Sequence, residues 1–168
     1  MFKIIKQTIH VTRGDWGIID FSIPQTNIYD HWKYTDADGK EYWYDSTNNE
    51  LYDSEYTPCS IDLLDTLTLQ LYEFQPNDVV RFKVFRKNDC SIVEIQKDVI
   101  VDSEKTVVSI ELEKEDTKIG GLIKKPTDYW YEVELNPDTK PQTVIGFDIS
   151  GEKIFKLYPE GDEQHVES

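Results

Sequence analysis

Between residues 24 and 58 aliphatic side chains nearly vanish, and Tyr, Trp, Asp and Asn take their place. Trp32 and Tyr34 stand on one side of Asp36-Ala37-Asp38-Gly39, and Tyr42, Trp43 and Tyr44 stand on the other. The chemistry open to such a group is recognition rather than bond making. Tyr and Trp offer large contact areas at little cost in rotamer freedom, and both are enriched at interfaces. The same rings can stack on sugars, or can simply pack a hairpin onto the body of the protein. These five aromatics are therefore the candidate binding residues, for a protein partner or for a glycan.

The other chemistry-bearing residues form no constellation. Asp36, Asp38 and Glu41 have the look of a calcium loop, but Tyr34 stands where that pattern needs its first Asp, so a plain Asp/Gly hairpin turn is expected and no metal. His10, His31 and His165 are far apart in sequence, and no HxxxH or CxxC spacing offers a zinc site. No serine sits in a G-x-S-x-G elbow, and Gly120-Gly121 lacks the Lys-Ser/Thr of a phosphate loop. With 33 Asp and Glu in the chain, chance proximity explains acidic pairs, so no glycosidase dyad is inferred. The expectation is a protein without catalytic residues or cofactor. Arg13-Gly14-Asp15 reads first as a hairpin turn between two β-runs.

Composition narrows the partners. Eighteen Lys and Arg against 33 Asp and Glu leave a net charge of −15. That opposes binding to nucleic acid, whose phosphates must be neutralised by clustered cations, and equally opposes an anionic membrane. It favours solubility, or an acidic face docking on a basic protein. The first ten residues lack the apolar run of a signal peptide, and no stretch of about 20 apolar residues could span a bilayer. The expected setting is a reducing cytoplasm, with Cys59 and Cys90 as free thiols.

The elements that must position the aromatics read as strands. In residues 74–112, three runs of β-branched and aromatic residues alternate with period two between turn signals. Val80, Phe82 and Val84 fall on one face, and Val108, Ile110 and Leu112 on another. Such a meander needs a second sheet over its apolar side, hence an all-β antiparallel sandwich. Residues 2–12 read as an opening strand and 66–73 as another. Residues 112–121 look like a helical turn ended by glycine. In 127–135, Tyr129, Tyr131, Val133 and Leu135 share a face, and a final hairpin bending at Ser150-Gly151 closes the chain. The organisation expected is one domain over 1–158, with an aromatic hairpin insertion at about 24–58 and a mobile acidic tail at 159–168.

With those strands placed, the chain resembles the immunoglobulin-like amino-terminal domain of phage baseplate upper proteins and related small virion proteins of phages of Gram-positive bacteria. The resemblance rests on Gly14-Asp15 opening a strand and on Phe74-Gln75-Pro76-Asn77-Asp78 leading into VVRFKVF. It continues through Ile95-Gln96-Lys97, Leu112 to Thr117 (LEKEDT), YWYEVEL and the closing hairpin. It covers roughly residues 9–20 and 70–158 and leaves the aromatic insertion outside. The family has Gly where Asn77 stands, and Asn tolerates the same left-handed turn. The resemblance implies an immunoglobulin-like sandwich in a non-enzymatic virion structural protein, assembled in the host cytoplasm. Its implied partners are other virion proteins at a baseplate, neck, tail or capsid surface, with homo-oligomerisation open. The segment WKYTDADGKEYWYDSTNNEL also resembles a single repeat of the cell-wall choline-binding or glucan-binding modules, which implies the alternative of a carbohydrate-binding module recognising host-surface glycans.

Overall fold

The computed structural model describes residues 1–121, 123–145 and 153–161. The fold is all-β, with antiparallel pairing in three sheets. The chain divides into two compact units: Met1–Phe21, Pro76–Asp102 and Val108–Ser168 form the first, Ser22–Gln75 with Ser103–Val107 the second. The aromatic span 24–58 lies inside the second unit, which reaches further along the chain. No helix among the described residues is long and apolar enough to cross a membrane.

In the first unit, β1 (Phe2–Ile5) and β2 (Thr8–Thr12) pair as a hairpin turning at Lys6, whose φ is +50°. The single opening strand expected over 2–12 is thus two, because Lys6-Gln7 interrupts the alternation. β3 (Gly17–Phe21) belongs to a different sheet, so Arg13-Gly14-Asp15 is a corner between sheets rather than a hairpin turn. Gly14 takes φ +87° there, and its N–H donates to the buried Thr117 hydroxyl at 2.9 Å.

Four β-strands of the second unit, β4 (Trp32–Thr35), β5 (Glu41–Asp45), β6 (Glu50–Asp53) and β7 (Pro58–Cys59), follow in order. A 3-10 helix, Ile61–Thr66, then leads to β8 (Thr68–Leu69). The strand expected over 66–73 is therefore only two residues long. The Ser60 hydroxyl caps the helix by accepting from Asp62 N–H, which takes the leucines before Leu67 out of extended geometry.

Back in the first unit come β9 (Val79–Arg86), β10 (Asp89–Ile100), β11 (Val108–Leu112), β12 (Thr127–Leu135), β13 (Gln142–Ile145) and β14 (Ile154–Tyr158). A seven-stranded sheet runs β1-β2-β14-β12-β9-β10, with β13 also on β12, and β3 pairs β11 alone. The expected meander breaks after β10, since β11 crosses to β3 instead of continuing the sheet. The expected closing hairpin is also replaced: β13 and β14 both pair with β12, and β14 runs parallel to β2. Its bend at Ser150-Gly151 and most of the tail fall outside the described residues. The helical turn expected over 112–121 is a run of turns at 114–117, and Gly120 and Gly121 follow at φ +74° and +68°.

The alternation read from the sequence is the alternation that buries. Val80, Phe82 and Val84, Tyr129, Tyr131, Val133 and Leu135, and Val108, Ile110 and Leu112 are all buried. Phe21 of β3 meets Phe82 of β9 with ring centroids 5.9 Å apart, so the two sheets of this unit face each other as a sandwich. Gly17 is required where it stands, because a Cβ there would lie 2.1 Å from the Phe2 ring. Asn77 and Asn136 both hold positive φ beside β9, and Asn136 Oδ1 accepts from Val79 N–H at 2.8 Å. Cys59 and Cys90 are free.

Candidate interaction surface

The second unit carries the five aromatics on its five-stranded sheet, ordered β7-β6-β5-β4-β8. Asp36 makes the β4–β5 turn: its Oδ1 accepts from Asp38 N–H and Lys40 N–H, both at 2.9 Å, while Gly39 supplies φ +82°. That carboxylate oxygen is committed to the backbone, and Glu41 pairs with Lys33 at 3.1 Å. Among the described residues, no group of three or more His, Cys, Asp or Glu is placed to hold a metal ion.

The register sorts the aromatics. Trp32 lies opposite Tyr44 and Tyr34 opposite Tyr42, so these four share one face, whereas Trp43 lies opposite Lys33 and Tyr52 on the other. The first face is the more buried. Tyr42 and Leu51 are in the unit's core, and Tyr44 meets Trp32 and Tyr34 edge-on at 6.1 and 6.0 Å. Burial and the neighbouring Tyr44 hold the Tyr34 phenol above its usual pKa. The structure thus brings four of the five candidates together and separates Trp43 from them.

On the Trp43 side stands a cluster that the sequence reading missed. The His31 ring stacks on Tyr52 at 5.8 Å, Tyr52 stacks on Tyr56 at 5.3 Å, and Tyr29 meets Tyr56 edge-on at 5.7 Å. His31 Nδ1 lies 3.1 Å from the Tyr56 hydroxyl, and its Nε2 lies 3.7 Å from Asp45 Oδ2. Asn27 Nδ2 donates to the same hydroxyl, while Asn27 Oδ1 accepts from Tyr29 N–H and His31 N–H at 3.0 and 3.1 Å. The Tyr52 hydroxyl donates to Glu50, and that carboxylate holds the phenol above its usual pKa. Asp30 and Tyr56 both carry positive φ, +60° and +62°, a conformation that costs a non-glycine residue about 1–2 kcal/mol.

Carboxylate, imidazole and phenol in one line is the layout of a proton relay, but here the phenol oxygen also takes Asn27. The network's effect is to pin loop 27–31 to loop 53–57 and to present Ile28 and Tyr29, 91% and 63% exposed, on a fixed support. The signal available in the sequence was Asn27-x-Tyr29-x-His31, a period-two run led by a turn-forming Asn.

Elsewhere the histidines are separate: His10, on β2 of the first unit, holds the Tyr158 hydroxyl at 2.8 Å, and His165 is outside the described residues. A cleft of about 470 Å³ in the first unit is lined by Arg86, Glu94, Gly120, Thr127 and Tyr129. Two of its charges are spent on each other, Arg86 Nε donating to Glu94 Oε1 at 2.6 Å. The edge strand β10 of the seven-stranded sheet is blunted. β10 is 12 residues long, but two register shifts bend its first half, and Lys97 on its inward face reaches Asp116 at 2.9 Å.

No protein-family model matches the chain, and neither a curated protein nor a solved structure matches it.

Proposed function

We propose that the chain is a non-enzymatic structural protein of a phage virion that docks on neighbouring virion subunits through the aromatic, acidic surface of its second unit. The observation that carries this reading is the pinned aromatic cluster on the Trp43 side of the sheet. Rigid Tyr, Trp and His rings in an acidic surround are what a basic, partly apolar partner surface would grip. The second unit holds 12 acidic and three basic side chains. The reading draws also on the resemblance above, and with it we propose that the first unit is immunoglobulin-like. Two facing sheets whose strand order departs from chain order are consistent with that architecture.

The test is binding of the purified protein to isolated virion subunits and whole particles. Association is expected, and Trp43→Ala or Tyr52→Ala should weaken it by about 2 kcal/mol, the size of a hot-spot truncation. Failure to bind any subunit would remove the reading. The alternative of glycan recognition is favoured by one feature, the exposed ring of Tyr29 beside Tyr56. A glycan array separates the two: signal lost on replacing Tyr29, Trp32 and Trp43 by Ala would favour sugars over a protein partner.

A further inference from the structure

The outward face of the seven-stranded sheet has a pattern that its own fold does not need. On β9 the outward side chains include Arg81, Lys83 and Phe85; on β12 they are Asp128, Trp130, Glu132 and Glu134. Their inward alternates Val80, Phe82, Val84, Tyr131, Val133 and Leu135 fill the core. The register sets Arg81 opposite Glu134, Lys83 opposite Glu132 and Phe85 opposite Trp130. Basic residues thus lie on one central strand and acidic residues on its neighbour. The apolar pair extends sideways into a row, with Val93 opposite Phe85 and Ile154 opposite Trp130. In a chain of net charge −15, the charges of these two strands, Arg81, Lys83 and Arg86 against Asp128, Glu132 and Glu134, sum to zero.

Within one molecule the charges are already partnered. Lys83 reaches Glu134 at 2.7 Å and Glu132 at 3.7 Å, and Arg81 forks onto Asp98 at 2.8 and 2.9 Å. A solvated ion-pair ladder is the ordinary state of such a face. It accounts for the sorting of sign, since Lys83 also reaches diagonally to Glu134, but not for the apolar row through Val93, Phe85, Trp130 and Ile154.

Both features have one geometric consequence. A two-fold axis parallel to the strands and midway between β9 and β12 lays β9 of one copy over β12 of another at the same level. Arg81 then faces Glu134, Lys83 faces Glu132, Phe85 faces Trp130 and Val93 faces Ile154, each contact occurring twice. We infer that this face is the interface of an isologous homodimer, two sheets stacked about 10 Å apart. A second copy fits better than a basic partner because the face carries no excess negative charge to attract one. The inference rests on register and charge alone and is independent of the virion reading.

Analytical ultracentrifugation of the full chain from about 1 μM to 1 mM tests it. The native protein should sediment as a dimer. Lys83→Glu sets acid over acid in a pair of like copies, and Glu132→Lys sets base over base, so each alone should weaken self-association about a hundredfold. Mixed one to one, the two variants should recover a heterodimer, because every facing pair is again of opposite sign. A role confined to the fold would not be restored by mixing. Val93→Glu, at a position 44% exposed, tests the apolar row without touching the core and should also give a monomer. A native monomer at every concentration, or a dimer indifferent to all three substitutions, or variants that stay monomeric on mixing, would overturn the inference.

Discussion

The two units solve the same problem, an acidic chain that must fold, by opposite means. The first is tied together over long sequence distances. The Tyr131 hydroxyl donates to Gln7 O at 2.6 Å, Gly14 N–H to Thr117 at 2.9 Å and Arg13 Nε–H to Ile119 O at 3.2 Å. Its core is a continuous set of alternating apolar side chains, and its charges sit in cross-strand pairs. The second unit has bonds across the sequence too, such as Tyr72 N–H to Ile23 O at 2.8 Å, but its hairpins are held locally. Asp36, Asp45 and Asp53 each accept backbone N–H groups two to four residues on. Its buried apolar side chains are few: Ile23, Tyr42, Leu51 and Phe74. Across the strands of one unit carboxylates are chiefly ion-pair partners; in the hairpins of the other Asp36, Asp45 and Asp53 are turn-makers, so net charge alone says little about what acidic residues do.

The largest expected effect tests that division. Phe82 is fully buried against Phe21, Tyr131 and Phe155, so Phe82→Ala should cost about 3–5 kcal/mol in denaturant unfolding. Amide protection of β4–β6 should survive the substitution if the second unit stands on local bonds. Joint loss of protection would break the comparison. A smaller effect is expected at Gly120, where φ is +74° and an added Cβ would lie 2.3 Å from the Tyr129 hydroxyl. Gly120→Ala should destabilise by about 1–3 kcal/mol, combining left-handed strain with a clash. Adding Tyr129→Phe should return only the clash, which a double-mutant cycle would measure.

The first unit was the more legible in sequence, for a physical reason. Its strands bury one side, so period two appears directly in VVRFKVF and YWYEVEL, and the faces read there are the faces buried. Pairing partners were not legible, because alternation fixes a strand's face and leaves its neighbour open. Hence β11 was expected beside β10 and is found on β3, and the expected closing hairpin is two strands on β12. In the second unit the aromatics were visible as composition. Their distribution over two faces depends on the β4–β5 and β5–β6 registers, and the part played by His31 and Tyr56 depends on loop contacts 25 residues apart.

The His31 cluster gives a prediction confined to the second unit. Tyr56→Phe keeps the stacked ring and deletes the hydroxyl that Asn27 and His31 share, at a cost of about 1 kcal/mol. Amide exchange at 27–31 should quicken while β9 and β12 are unchanged. Equal protection in the variant would mean that ring packing alone holds the loop.

The smallest effects concern pH, and two carboxyls, one in each unit, should respond with opposite sign. In the first, the Arg81 guanidinium beside Asp98 holds that carboxyl below its usual pKa. The unfolded chain therefore binds the Asp98 proton more readily, and this contribution, present above the ordinary carboxylate range, is lost as pH falls through the folded pKa. In the second, Glu73 is held above its usual value by its hydrogen bond to Glu104. The folded chain there binds the proton more readily, so falling pH adds stability from the raised pKa down to the ordinary glutamate value and holds it below. Melting temperatures of Asp98→Asn and Glu73→Gln between about pH 3 and pH 7 separate the two. Relative to the native protein, Asp98→Asn should lose less on acidification and Glu73→Gln should lose more. Identical shifts in both variants would mean that the hydrogen bond between Glu73 and Glu104 does not hold a proton that the ion-paired Asp98 gives up, and the contrast between a shared carboxyl proton and an ion-paired carboxylate would fail.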